Sequence, residues 1–156
     1  MKYIRKMTVK KKILLLNRQK KIHLEKQYLE NGIGFIEGYI SKKFRSVNVI
    51  LVGNRVIKSL NKQFLNKNSI TDVLSFNLGS RAEVVISVDT ANDQATDASH
   101  TLEMEILYLI IHGVLHLSGF DDAKPDDYIT MKKQQDKIFS TIVRHLNAKR
   151  KKTGYC

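Results

Sequence analysis

A single cysteine, and that at the last position (Cys156), leaves no pair for a disulfide and no material for a Cys-based zinc module. Tryptophan is absent, and the one proline is Pro125. No Pro- or Gly-rich linker and no internal repeat divides the 156 residues, which predicts one domain over 1–156. Long hydrophobic runs are lacking too. The longest uncharged stretch, Ile106 to Phe120, is too short to span a bilayer and carries two histidines. The basic N-terminus has no signal-peptide cleavage pattern. These absences exclude a secreted disulfide scaffold and an integral membrane protein. They predict a soluble protein of a reducing compartment with no membrane partner.

Acids are scarce at both ends. Met1 to Leu24 holds nine Lys or Arg and no Asp or Glu. Asn68 to Met131, in contrast, holds eleven acids against two bases, a local net charge of −9 within a chain of net +12. The remainder therefore carries +21, an electropositive frame around an acidic centre. Such a frame fits a polyanionic partner, nucleic acid before membrane surface, since no amphipathic anchor accompanies it.

Hydrophobic patterning predicts an α/β (α+β) domain with a small mixed sheet packed against helices. Strands are expected over Lys12–Asn17, Val47–Val52, Thr71–Phe76 and Glu83–Val88, the last two joined by a turn with Gly79 and Ser80. Helices are expected over His23–Lys43, with Gly32, Gly34 and Gly38 weakening its middle, and from Asn54 through Val56, Ile57, Leu60 and Phe64. Thr101–Leu117 is apolar nearly all round, which predicts a buried central helix closed by Ser118-Gly119. A last helix starts at Pro125-Asp126-Asp127 and turns Ile129, Ile138, Phe139, Ile142 and Leu146 inward. From about residue 148 a basic tail is expected to fray.

The chemistry concentrates in His112-Gly-Val-Leu-His116-Leu-Ser-Gly119-Phe-Asp-Asp122. Histidines at i and i+4 lie one turn apart on one helix face, so both imidazoles can reach one ion. Gly119 lets the chain reverse, and Asp122 can return as a third ligand. Three ligands with an open fourth position are a catalytic rather than a structural arrangement, and a divalent ion held there acidifies its water. The central helix would thus bear metal in the manner of metzincins. Zinc proteases of that geometry carry a glutamate after the first histidine, and here the position is Gly113, which disfavours peptide hydrolysis. Glycine there either leaves room beside the ion or permits close helix packing. Asp121 is a candidate base or orienting group, or simply a solvated turn acid; the catalytic residue itself stays unassigned.

The stretch HGVLHLSGFDD resembles the signature of the YbeY family of bacterial endoribonucleases, His-Gly-x-Leu-His-Leu-x-Gly-(Tyr/Phe)-Asp-His. LNKQF (Leu60–Phe64) and TDVLSF (Thr71–Phe76) stand in that family's order and spacing, AEVVIS (Ala82–Ser87) matches loosely, and the likeness covers Asn54 to Phe139. The resemblance implies a metal-dependent, single-strand-specific endoribonuclease, a cytoplasmic hydrolase of ribosomal RNA maturation and ribosome quality control at the small subunit. It implies one divalent ion, zinc favoured, on His112, His116 and Asp122. Single-stranded or ribosomal RNA and the ribosome are the implied partners. Three positions depart from the family pattern. Asp122 replaces a third histidine, which lowers the net charge at the ion and favours a harder metal. Leu65 stands where the family has an arginine, with Lys67 as a nearby substitute. Asn68 and Ile70 replace an Asp and a Pro before the strand, implying a reshaped loop. These departures support one rival reading, a ribosome- or RNA-binding module with a degenerate site.

Overall fold

The computed structural model describes residues 12–152; the basic positions before Lys12, and residues 153–156, lie outside them. In chain order the elements are β1 (Ile13–Asn17), α1 (Lys26–Ile36), a 3-10 turn (Glu37–Tyr39), β2 (Ser46–Val52), α2 (Asn54–Leu65), β3 (Val73–Asn77), β4 (Arg81–Ser87), α3 (Val88–Asp97), α4 (Leu102–Leu117) and α5 (Pro125–Lys152). The sheet runs β1-β2-β4-β3. The first three are parallel, and β3 joins β4 as an antiparallel hairpin, so the sheet is mixed as expected.

Strand alternation sets the two faces. Val47, Val49 and Leu51 of β2 and Ala82, Val84 and Ile86 of β4 are buried on one side, in one cluster with α1 and α4. Val52, Leu74 and Val85 form a smaller cluster with Ile57 of α2. The uniformly apolar α4 is enclosed by the sheet and by α1, α3 and α5, with Ile106, Leu107, Ile110 and Ile111 essentially inaccessible. Thr101 starts it, its hydroxyl accepting from the Met104 amide (3.2 Å).

The structure corrects four expectations. The first helix ends at Ile36, with a 3-10 turn to Tyr39, because Ile40 and Phe44, which prolong the apolar periodicity, are buried from the following loop. A helix unmarked in the pattern, α3, fills Val88–Asp97. It buries only Val88, Ala91 and Ala95, side chains mostly too small to signal a period, and Ser87 caps it by accepting from the Thr90 amide (3.3 Å). The last helix continues through the basic segment to Lys152, since Ala, Lys and Arg favour helix and cations suit its C-terminus. Finally, Ile129 faces solvent, while Met131 and Gln135 take inward positions beside Ile138, Ile142 and Leu146.

Candidate metal centre

The last turn of α4 and the bend after it build the site. Ser118 ends the helix and Gly119 adopts φ +98°, the left-handed region that suits glycine. The Gly119 amide bonds back to the His116 carbonyl (3.1 Å) and the Phe120 amide to the Leu115 carbonyl (3.0 Å), a Schellman closure. That closure folds Asp122 over the two histidines. Asp121 shapes the same bend, its Oδ1 accepting from the amides of Asp122 (2.7 Å) and Ala123 (3.1 Å). Its carboxylate is therefore engaged in the turn.

His112, His116 and Asp122 form a group able to hold one metal ion. Their facing atoms are separated by 3.1 Å (His112 Nε2 to His116 Nε2), 3.5 Å (His116 Nε2 to Asp122 Oδ2) and 3.6 Å (His112 Nε2 to Asp122 Oδ2). Ligands about 2.0–2.1 Å from a tetrahedral ion lie about 3.3 Å apart, so the triangle has the size such an ion requires.

The opposite nitrogens decide what the triangle presents. Gln135 Nε2 donates to the Tyr108 carbonyl (3.0 Å), which turns Gln135 Oε1 toward His112 Nδ1 (3.1 Å). An amide oxygen only accepts, so His112 Nδ1 carries the proton and donates. The Phe120 carbonyl likewise fixes His116, whose Nδ1 donates to it over 3.1 Å. Both Nε2 atoms therefore present lone pairs to each other and to a carboxylate oxygen. One proton would satisfy one of these contacts; a single cation satisfies all three.

Gln135 and the Phe120 carbonyl, which orient the two candidate ligand rings, are groups that the sequence reading did not mark. Gln135 had one signal, a polar residue on the buried stripe of α5. Replacing it with leucine is expected to weaken zinc binding by about 10–100-fold, read by competition with a chromophoric chelator.

Gly113 faces away from the triangle. A Cβ there would lie 2.6 Å from Val84 Cγ1 and 3.0 Å from Ser75 Oγ, so the glycine serves close packing of α4 on the sheet. A glutamate at this position would meet β3 and β4, which removes the protease geometry.

The triangle opens on a cleft of about 600 Å³ whose lining includes His112 and Asp122 together with Asp72, Asp97, Glu105 and Asp136. Four of the eleven acids in the acidic centre of the sequence, Asp72, Asp97, Glu105 and Asp122, thus line this cleft, joined by Asp136 of α5. Tyr108, also in the wall, is pushed well above the ordinary tyrosine range by burial and by its hydrogen bond to Asp136 (2.7 Å), so its hydroxyl stays a donor. On the other side of His116 lies a polar hollow of about 520 Å³ lined by Ser41, Lys43, Ser75, Asn77 and Ser118. Neither Leu65, half-exposed at the end of α2, nor Lys67 is among the residues lining either hollow.

The family profile described as Endoribonuclease YbeY matches residues 12–143. This chain belongs to the YbeY family. The YbeY likeness thus extends well upstream of Asn54, through β1 and α1. An Endoribonuclease YbeY from Caldicellulosiruptor bescii is 33% identical over 153 residues, covering 84% of this chain and 97% of its own length. Another from Carboxydothermus hydrogenoformans is 37% identical over 102 residues, covering 62% and 71%. Among solved structures, the solution structure of TM1509 from Thermotoga maritima superposes with a TM-score of 0.63 at 30% identity, covering 88% of this chain and 93% of that one.

Proposed function

We propose that this YbeY family member is a metal-dependent endoribonuclease that cuts single-stranded RNA, with ribosomal RNA of the small subunit as its cytoplasmic substrate. One observation carries the reading: three unshared lone pairs, from His112, His116 and Asp122, converge at the spacing of a tetrahedral ion. Its curated relatives bear the name Endoribonuclease YbeY. Among the described residues no helix is long and apolar enough to cross a membrane.

His112 and His116 would hold the ion through Nε2, and Asp122 through Oδ2. When bound, a divalent ion, zinc by preference for this donor set, supplies a Lewis acid for a phosphate oxygen and an acidified water. The protein's own groups do the rest. Gln135 and the Phe120 carbonyl hold both rings in one tautomer, so the site needs no rearrangement to bind. Side-chain exposure rises from 21% at His112 through 30% at His116 to 38% at Asp122, leaving the Asp122 side open to substrate. Lys43 and the Ser41 hydroxyl offer the polar hollow to a phosphate, while Ser75 and Ser118, whose hydroxyls donate to the Gly113 and Val114 carbonyls, can only accept from its sugar.

The basic end of α5 reaches farther. Lys149 and Arg150 lie over the rings of Phe35 and Tyr28, 5.5 and 4.8 Å away. They are about 20 Å along the helix from Gln135. Contacts there would be sequence-independent and salt-sensitive.

Leu65 favours a second reading, an RNA-binding module of low turnover, because it brings no charge to a developing phosphorane. Incubating the purified chain with single-stranded RNA and zinc separates the two. Cleavage is expected, abolished by chelator and restored by added zinc. Binding without cleavage would favour the second reading, and cleavage indifferent to chelator would overturn the metal site.

A further inference from the structure

We propose that the acidic cleft beside His112 and Asp122 is a nucleobase subsite that takes a base rich in hydrogen-bond donors, guanine above the others. Its place in catalysis rests on the endoribonuclease reading; the binding itself does not.

Charge argues first against a phosphate. Five carboxylates line the cleft, those of Asp72, Asp97, Glu105, Asp122 and Asp136, and Lys132 is held by Asp136 at 3.1 Å. A phosphodiester would meet net negative potential there, whereas a neutral base offering N–H groups would not. The backbone instead has the Lys43 hollow on the far side of His116. A strand crossing the triangle can thus lay phosphate on one side and turn a base into the other.

The walls suit a base. Phe139 lies edge-on to Tyr108 at 5.1 Å and beside His100 at 5.7 Å, which makes a continuous ring surface along one side. Tyr128, half-exposed at the mouth, has no ring partner among the described residues and is free to stack. The volume of about 600 Å³ lies within the range of small-molecule sites. Single-strand recognition by splaying out and stacking one base needs these features.

Four of the carboxylates are already engaged. Asp72 accepts from the Val73 amide (2.8 Å) and Gln94 Nε2 (3.1 Å), Asp136 from Tyr108 and Lys132, Glu105 meets His100 Nε2 at 2.5 Å, and Asp122 faces the imidazoles. Asp97 differs: it is exposed at the rim, and among the described residues its carboxylate has neither a hydrogen bond nor an ion pair, so only water need be displaced from it. It also stands in the last turn of α3, where the helix dipole disfavours an acid and no base compensates. Its two oxygens match the adjacent N1–H and N2–H of guanine. Cytosine and adenine offer one amino group. Uracil flanks its single N–H with two carbonyls that repel a carboxylate.

The test uses the full chain with zinc and the free nucleosides guanosine and uridine, which carry no phosphate. The ring signals of Tyr108 and Tyr128 are followed by NMR. Guanosine is expected to shift both rings saturably and to bind roughly fivefold or more tightly than uridine. Asp97→Asn should bring the two affinities together, and Tyr128→Ala should weaken both by about fivefold or more. Rings that do not respond to guanosine, equal affinities in the unaltered chain, or a preference that survives Asp97→Asn would each overturn the subsite. The nuclease assay is independent of these outcomes. A chain that binds guanosine but cuts no RNA keeps the subsite and loses the nuclease; one that cuts RNA but binds guanosine and uridine alike does the reverse.

Discussion

His116→Ala is expected to reduce bound metal from one ion per chain to a trace while leaving the fold in place. Alanine is the best helix former, and His116 lies in the last turn of α4 with nearly a third of its side chain exposed. The structural loss is one hydrogen bond to the Phe120 carbonyl, about 0.5–1.5 kcal/mol. His112→Ala is a poorer test, because it strands Gln135 Oε1 in a buried position at a cost of about 1–3 kcal/mol. For the metal the balance reverses: two donors cannot replace three. Zinc at a thousand times its Kd should stabilise the unaltered chain by about 4 kcal/mol, and the variant by nothing measurable. Elemental analysis and thermal unfolding with and without zinc read both effects. Stoichiometric metal in the variant would remove the site as drawn.

Gly113→Ala is expected to destabilise the protein by about 2 kcal/mol, although alanine normally strengthens a helix by about 1 kcal/mol over glycine. The added carbon would stand 2.6 Å from Val84 Cγ1 and 3.0 Å from Val84 Cγ2, so rotating that side chain brings no relief. Val84 is wholly buried on β4, and overpacking of this kind costs about 1–3 kcal/mol or more. The helix must lift, which also strains the bond from Ser75 Oγ to the Gly113 carbonyl (3.3 Å). A melting temperature lower by roughly 4–8 °C is the expected reading. Combining the change with Val84→Ala should do less damage than the two costs summed, because each relieves the other. An unchanged melting temperature would show that α4 has slack on the sheet.

The candidate site was legible in the sequence because its information is local. Two histidines a turn apart, a glycine that can take positive φ and an aspartate within reach are all contained in eleven residues. The same locality made α4 and the β3–β4 hairpin readable, one from an unbroken apolar run and the other from Gly79. What escaped depended on distant partners. Gln135 is twenty-three residues from the imidazole it orients, and nothing near it in sequence announces that bond. The direction of Gly113 could not be fixed until Val84 and Ser75 were placed beneath it. The small inward residues of α3 carry too little hydrophobic contrast to mark a period. The acidic run was visible as charge, but not which of its members line a cleft, since α3, α4, α5 and the segments before β3 and after α4 each contribute to that wall.

Two of the three donors ride on a helix sealed in the core, and the third on a bend whose flanking residues, Ser118, Gly119 and Asp121 through Thr130, all face water. Affinity is a shared property of all three, but the time an ion stays need not be. If the site holds an ion as proposed, the enclosed helix keeps its two donors in place, and departure would be timed by the exposed bend swinging outward. Substitutions in that bend can therefore alter residence time while the two imidazoles keep their posture.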